Sequence, residues 1–238
     1  MHWRCRRTRK GLLTDATSVT RSLTWRTVAA AILAASLLLL GGIALGRITS
    51  PAAASAPASI SAEAGFARDM QTHHNQGVEL AMIIYEKTDD DAIRTLSYDI
   101  ASAQGQQSGQ MYGWLSVWGV PQAAPEPPMT WMTRPTTAGG DSHDMTDMPT
   151  DPSAGPMHRP GDPMPGLATT AQVDDLELAS GTDADRAFLT LMIAHHKGAI
   201  EMADAVLARS TNRQATSLAR GVLSSQAGEI DYMEQLLG

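Results

Sequence analysis

Seven histidines occur in the chain, and four of them stand in two adjacent pairs, His73-His74 and His195-His196, 122 positions apart. A methionine precedes each pair by three residues, Met70 in the first and Met192 in the second. Imidazole nitrogen suits copper and zinc alike, and thioether sulfur is a soft, uncharged ligand that suits Cu(I). On a helix each residue advances about 100°, so with His73 at zero Met70 falls near ~60° and His74 near ~100°. The three side chains therefore share one face, and so do Met192, His195 and His196. Gly77 and Ala81 continue the first face, Ala199 and Ala203 the second, with side chains small enough to leave room for rings or for close helix approach. If the two faces meet, up to four imidazoles and two thioethers gather, which is the chemistry of metal coordination. Copper is the expected ion, with zinc or another divalent metal as the alternative. No arrangement demands a catalytic step, and no catalytic residue is assigned.

Supporting groups can be placed by the same arithmetic. Gln104 and Gln226 each stand seven residues before a methionine, Met111 and Met233, on apolar stripes of the helices that must partner the histidine helices. A buried amide needs hydrogen-bond partners, and so does the ring nitrogen of a metal-bound histidine that faces away from the metal. These four residues are candidates to surround the site. A plainer use is open to all of them: methionine fills helical cores, and paired histidines can hydrogen-bond to Gln104, Gln226, Glu79 or Glu201 with no metal. Glu79 and Glu201 fall away from the histidine face and read as surface, inter-helix or capping partners.

A second group of soft ligands lies between the pairs. Eleven of the thirteen prolines fall from Pro121 to Pro165, which forbids a continued helix and predicts extended, mobile chain. Met129, Met132, His143, Met145, Met148, Met157, His158 and Met164 are set within it. A solvated linker has no packing use for six thioethers, so these are linker metal candidates. "HDMTDM", from His143 to Met148, is the densest cluster.

The elements that must position the pairs follow from an internal repeat. At an offset of 122, residues 66–116 and 188–238 share eleven identities in 51 positions without a gap, among them Phe66/Phe188, Met70/Met192, Glu79/Glu201, Gln104/Gln226 and Met111/Met233. Each copy reads as two helices. Phe66, Met70, His73, Gly77, Leu80 and Ile84 recur at three- and four-residue steps. Asp89-Asp90-Asp91 breaks the pattern and caps a second helix striped by Ile93, Leu96, Ile100, Met111 and Leu115. Thr182 with Asp185 resembles a capping box at the start of the second copy, and Ser210-Thr211-Asn212 separates its helices. Two such hairpins predict an all-α fold, an antiparallel four-helix bundle preceded by one N-terminal membrane helix. The expected organisation is a basic N-terminus over 1–26, an apolar segment over 27–46, an Ala/Pro/Ser linker over 47–60, a hairpin over 61–118, the Pro/Met/His-rich linker over 119–170 and a hairpin over 171–238, the two hairpins forming one domain.

Charge orients the chain. Residues 1–26 carry seven basic residues against Asp15, a balance of +6, whereas the whole chain stands at −7, so the remainder carries −13. Residues 27–46, "TVAAAILAASLLLLGGIALG", contain no charge and suit a hydrocarbon core of about 30 Å. With Lys and Arg in excess on its N-terminal side, the segment predicts a cytoplasmic N-terminus and an extracytoplasmic C-terminal domain. The protein is then membrane-anchored, or secreted if the segment is a signal cleaved near "PAAASAPA". Cys5, the only cysteine, falls on the cytoplasmic side, so the exported part has no disulfide and no thiolate site. Its acidity argues against nucleic acid, which selects basic patches.

The stretches "FARDMQTHHNQGVELAM" and "DRAFLTLMIAHHKGAIEMA", with "MPGL" at Met164 to Leu167 and the tail from Gln226 to Met233, resemble the exported bacterial family catalogued as domain of unknown function 305. The resemblance covers roughly residues 61–118 and 165–238. It implies a ferritin-like helical bundle, and some relatives are associated with copper binding or copper resistance in the cell envelope. By the same resemblance Met70, His73, His74, Met192, His195 and His196 take the candidate ligand role. Gln107 departs from the family pattern, which has an acid there, as does Glu229 in the second copy. The long Pro/Met linker is a second departure.

The expected function is thus exported copper binding, sequestering Cu(I) or handing it to an envelope metal-transfer partner, with a homo-oligomer also admitted. Two rivals stand beside it. A ferritin-like metal-dependent oxidoreductase needs Glu-x-x-His pairs, yet the residues three before the histidines are Met70, Gln71, Met192 and Ile193. A non-metal envelope interaction module would use the histidines as a hydrogen-bonded core.

Overall fold

The computed structural model describes residues 25–49, 56–137 and 158–238, and all the regular elements among them are helical. They divide into two compact units, parting between Ala54 and Ser55. The first contains α1, Trp25–Thr49, whose side chains from Trp25 to Arg47 are exposed and overwhelmingly apolar. Among the described residues it is the one helix long and apolar enough to cross a membrane, and its place near the N-terminus fits a signal or a single span.

The second unit is built from two hairpins. Its first hairpin pairs α2, Ala62–Lys87, with α3, Asp91–Trp118. Ser61 caps α2 by accepting from the Ala64 amide, and Asp90 caps α3 by accepting from the Ala92 and Ile93 amides at 2.7 and 3.2 Å. α3 stops at Gly119, whose φ of +69° puts it in the left-handed region that glycine enters without a Cβ penalty. The second hairpin pairs α5, Gly181–Arg209, with α6, Arg213–Leu237, and Asn212 caps α6 through the Gln214 and Ala215 amides.

A short helix, α4, Thr170–Leu178, precedes this hairpin. The capping box sits here, between Thr169 and Gln172. Thr182 and Asp185, expected to form one, lie inside α5 instead, because that helix already begins at Gly181 after Ser180.

α2 packs on α5, and the core shows their directions. One apolar cluster joins Phe66 and Met70 of α2 to Met202 and Val206 of α5, and the other joins Leu80 and Ile84 to Ala184 and Phe188. The start of one helix thus meets the end of the other. Met111 and Leu115 belong to the first cluster, Met192 and Met233 to the second. The histidine pairs fall between the two clusters along both helices, as a polar layer across an otherwise apolar interior.

Part of the Pro/Met/His-rich stretch joins this core, contrary to the expectation of extended, mobile chain. Met129, Met132 and Met164 are buried in the first cluster beside Trp131. The buried Asp69 carboxylate accepts from the Met129 amide at 2.7 Å and from the Trp131 indole at 2.9 Å, holding Met129 at a φ of +66°. Burial is also what raises the Asp69 pKa, against the lowering effect of those two hydrogen bonds. Its neighbour Arg68 donates to the Pro121 carbonyl and to the Ser59 carbonyl and hydroxyl, tying the chain before α2 to the chain after α3.

Candidate metal centre

His73, His74, His195 and His196 are fully buried. The rings of His73 and His195 face each other with centroids 3.8 Å apart and planes tilted by 34°. His74 lies 6.3 Å from His73, and His196 lies 6.2 Å from His195. The repeat has therefore brought together residues 122 positions apart, as the helical arithmetic predicts.

Each ring spends the same nitrogen on the protein. His73 Nε2 donates to the Pro165 carbonyl at 3.0 Å, and His74 Nε2 to Gln107 Oε1 at 2.7 Å. His195 Nε2 donates to the His73 carbonyl at 2.7 Å, and His196 Nε2 to Glu229 Oε2 at 2.6 Å. The Pro165 and His73 carbonyls and the Glu229 carboxylate can only accept, so His73, His195 and His196 donate through Nε2, and His74 does so while Gln107 presents its oxygen. In this arrangement none of the four Nδ1 atoms has a hydrogen-bond partner. A buried polar atom without a partner ordinarily costs about 1–3 kcal/mol, and here four of them occur in one layer.

Around the rings, the rest of the first motif is used to hold the layer. Asn75 accepts from the Ser108 hydroxyl at 2.7 Å. The Gln76 amide pairs with the Ala168 backbone in both directions, at 2.8 and 2.7 Å, which seats the Pro165–Ala168 segment above His73. Gly77 leaves the space that Gln104 and the His195 ring occupy, since a Cβ there would overlap both. Gly198 does the same for the Pro165 carbonyl. These roles of Asn75, Gln76, Gly198 and Pro165 were not anticipated, although the glycines and "MPGL" were visible as motifs.

Gln107 and Glu229, not Gln104 and Gln226, are the ring partners. Both sit three residues later, nearly one helical turn. Gln104 and Gln226 are buried in the same layer, where both polar atoms of Gln104 and the Oε1 of Gln226 lack partners. Met70, Met111, Met192 and Met233 are fully buried. His158 instead binds Glu201 at 2.5 Å, at the surface. His143, Met145, Met148 and Met157 lie outside the described residues.

Burial favours the neutral form of His73, His74 and His195. Burial lowers the pKa of His73 to about 4 and that of His74 to about 3, and holds His195 well below the ordinary imidazole value. A neutral imidazole with a free nitrogen is the form that binds a metal. Among the described residues, no three His, Cys, Asp or Glu side chains converge closely enough to hold an ion. What fits a soft ion in this layer is the open imidazole Nδ1, and the unpartnered nitrogens are the observation that makes it fit.

A family model described as "Domain of unknown function (DUF305)" matches residues 63–237. Among solved structures, a DUF305 protein of Streptomyces coelicolor is 39% identical, with a TM-score of 0.63, covering 76% of this chain and 94% of that one. A DUF305 fragment from Deinococcus radiodurans is 30% identical, with a TM-score of 0.54, covering 74% and 95%. CopM in a Cu(I)-bound form shares the fold at 20% identity and a TM-score of 0.51, covering 74% and 94%. No curated protein matches the chain.

Proposed function

Because the chain belongs to the DUF305 family, we propose that it is an envelope copper-binding protein whose two hairpins form a ferritin-like four-helix bundle around a Cu(I) site. The observation that carries this is the set of four buried imidazoles, each with Nε2 bonded to an oxygen and Nδ1 without a partner. Metal-bound histidines share this pattern, in which the far nitrogen donates to a carboxylate or carbonyl and fixes the tautomer. Met70 and Met192 are the thioether ligands, with Met111 and Met233 packed nearby and Gln104 and Gln226 as polar neighbours. Bound copper supplies a soft acceptor for these donors. The chain's own work is to bury the rings, fix their tautomers and exclude water. The likeness to a protein solved with Cu(I) bound supports the choice of copper over zinc.

The methionines divide between two uses. Met129, Met132 and Met164 pack the core, whereas His143, Met145, Met148 and Met157 form an accessory collector. Residues 27–46 anchor the protein with its C-terminal domain outside the cytoplasm, from which copper is stored or passed to a partner.

The full chain in detergent should withdraw about one or more equivalents of Cu(I) from a chromogenic chelator, as a soft-ligand site requires. Copper should also raise its melting temperature, because a ligand of the folded state stabilises that state. Failure to compete with the chelator, or unchanged competition after His73, His74, His195 and His196 all become alanine, would overturn the reading.

A further inference from the structure

The two halves of the histidine layer are related by the repeat, but their hydrogen-bond partners differ in charge. Gln107 and Glu229 stand at the same offset of 122 as the rings they hold. His74 meets the amide oxygen of Gln107 at 2.7 Å, and His196 meets the carboxylate of Glu229 at 2.6 Å. Both rings are fully buried, while the Glu229 side chain is about one-third exposed, at 31%, and so keeps contact with water.

We infer that Glu229 makes His196 the strongest metal-binding imidazole of the layer, while Gln107 leaves His74 a weaker one. The inference rests on the copper-binding reading. Two physical differences support it. A carboxylate has only acceptor oxygens, so it admits a single tautomer of His196, with the proton on Nε2 and the lone pair on Nδ1. The Gln107 amide can turn either end to His74. With its NH2 toward the ring it donates to Nε2, and the ring proton moves to Nδ1, where it blocks coordination. His74 therefore binds metal from only one of two arrangements, while the Glu229 carboxylate selects for His196 the one tautomer that offers Nδ1. In addition, the anionic partner increases the electron density that His196 offers through Nδ1, which a neutral amide does far less.

Partners of this kind change metal affinity by about 10- to 100-fold when altered. Glu229→Gln, which preserves shape, should weaken Cu(I) binding by about tenfold or more, as read by chelator competition at neutral pH on the full chain. Gln107→Glu should strengthen it. A gain of affinity cannot arise from damage to the fold, so this variant keeps the inference testable if Glu229→Gln unfolds. In metal-free protein, long-range 1H–15N spectra of the imidazoles should show His196 wholly in the Nε2–H form, and Glu229→Gln should introduce the other tautomer. Copper binding by the native chain with affinity unchanged within about twofold in both variants would overturn the inference and leave the copper-binding reading standing. No copper binding by the native chain would overturn both.

Discussion

At the scale of single residues, the layer combines hydrogen-bonded Nε2 atoms with unpartnered Nδ1 atoms, and burial favours the neutral form of His73, His74 and His195. Between a folded pKa of about 4 for His73 and its unfolded value of about 6.5, the unfolded chain binds a proton that the folded chain refuses. Stability therefore rises with pH across that window and is lost as the pH falls through it. Denaturant unfolding of the metal-free chain should show a loss on the order of 2–3 kcal/mol between pH 7 and pH 4.5 from His73 alone. His74, lowered to about 3, deepens it. A midpoint that does not move between these pH values would contradict neutral burial of the rings. At His73 protons should compete with copper only as the pH falls toward about 4, because the folded chain leaves that ring unprotonated above it. The identity of the four histidines and their shared face was legible from spacing alone. Which ring nitrogen was free was not, because that depends on acceptors supplied by Pro165, Gln107 and Glu229 from elsewhere in the chain.

At the scale of elements, the missing Cβ of Gly77 in α2 makes room for the His195 ring of α5 and for Gln104 of α3, and that of Gly198 in α5 makes room for the Pro165 carbonyl. Gly198→Ala would drive a methyl into the Pro165 carbonyl, which belongs to backbone and cannot swing aside. It should cost about 1–3 kcal/mol in stability and deprive His73 of its acceptor, which calorimetry and Cu(I) competition would record together. An alanine variant with native stability and affinity would show that the Pro165 segment does not hold the ring. Asp69→Ala tests the other attachment. It strands the Met129 amide and the Trp131 indole in the core, at about 1–3 kcal/mol for each donor, and thermal melts should register the loss. The helices were legible because their apolar residues recur every three or four positions, Asp90 caps where the sequence suggests, and Asn212 caps α6 from the stretch read as separating two helices. The start of α5 was not, since Thr182 and Asp185 satisfy the spacing of a capping box while the cap position falls two residues earlier, at Ser180. Nor was the docking of Met129 and Trp131, which needs a single buried carboxylate far away in sequence.

At the scale of the whole molecule, the chain joins an apolar helix to an acidic helical unit without usable thiols. Cys5 makes the expected topology testable, because it precedes α1 and is the only cysteine. A membrane-impermeant maleimide should leave the native protein unlabelled in intact cells and label it after permeabilisation, whereas a Ser102→Cys variant should be labelled from outside. The reverse pattern would place the helical unit in the cytoplasm, and a protein with no reactive thiol at all would show that the N-terminal segment had been removed. Sequence by itself determined the helical class, the duplication, the apolar N-terminal segment and the residues of the histidine layer, because each is written in local periodicity, composition or a fixed offset. Tertiary structure alone decided that the rings of His73 and His195 meet, that their Nδ1 atoms stay open, that Glu229 and Gln107 divide the layer into unequal halves, and that three linker methionines belong to the core. Those outcomes depend on contacts between residues distant along the chain, where a hydrogen bond or a missing Cβ selects one arrangement among several that the local pattern allows equally.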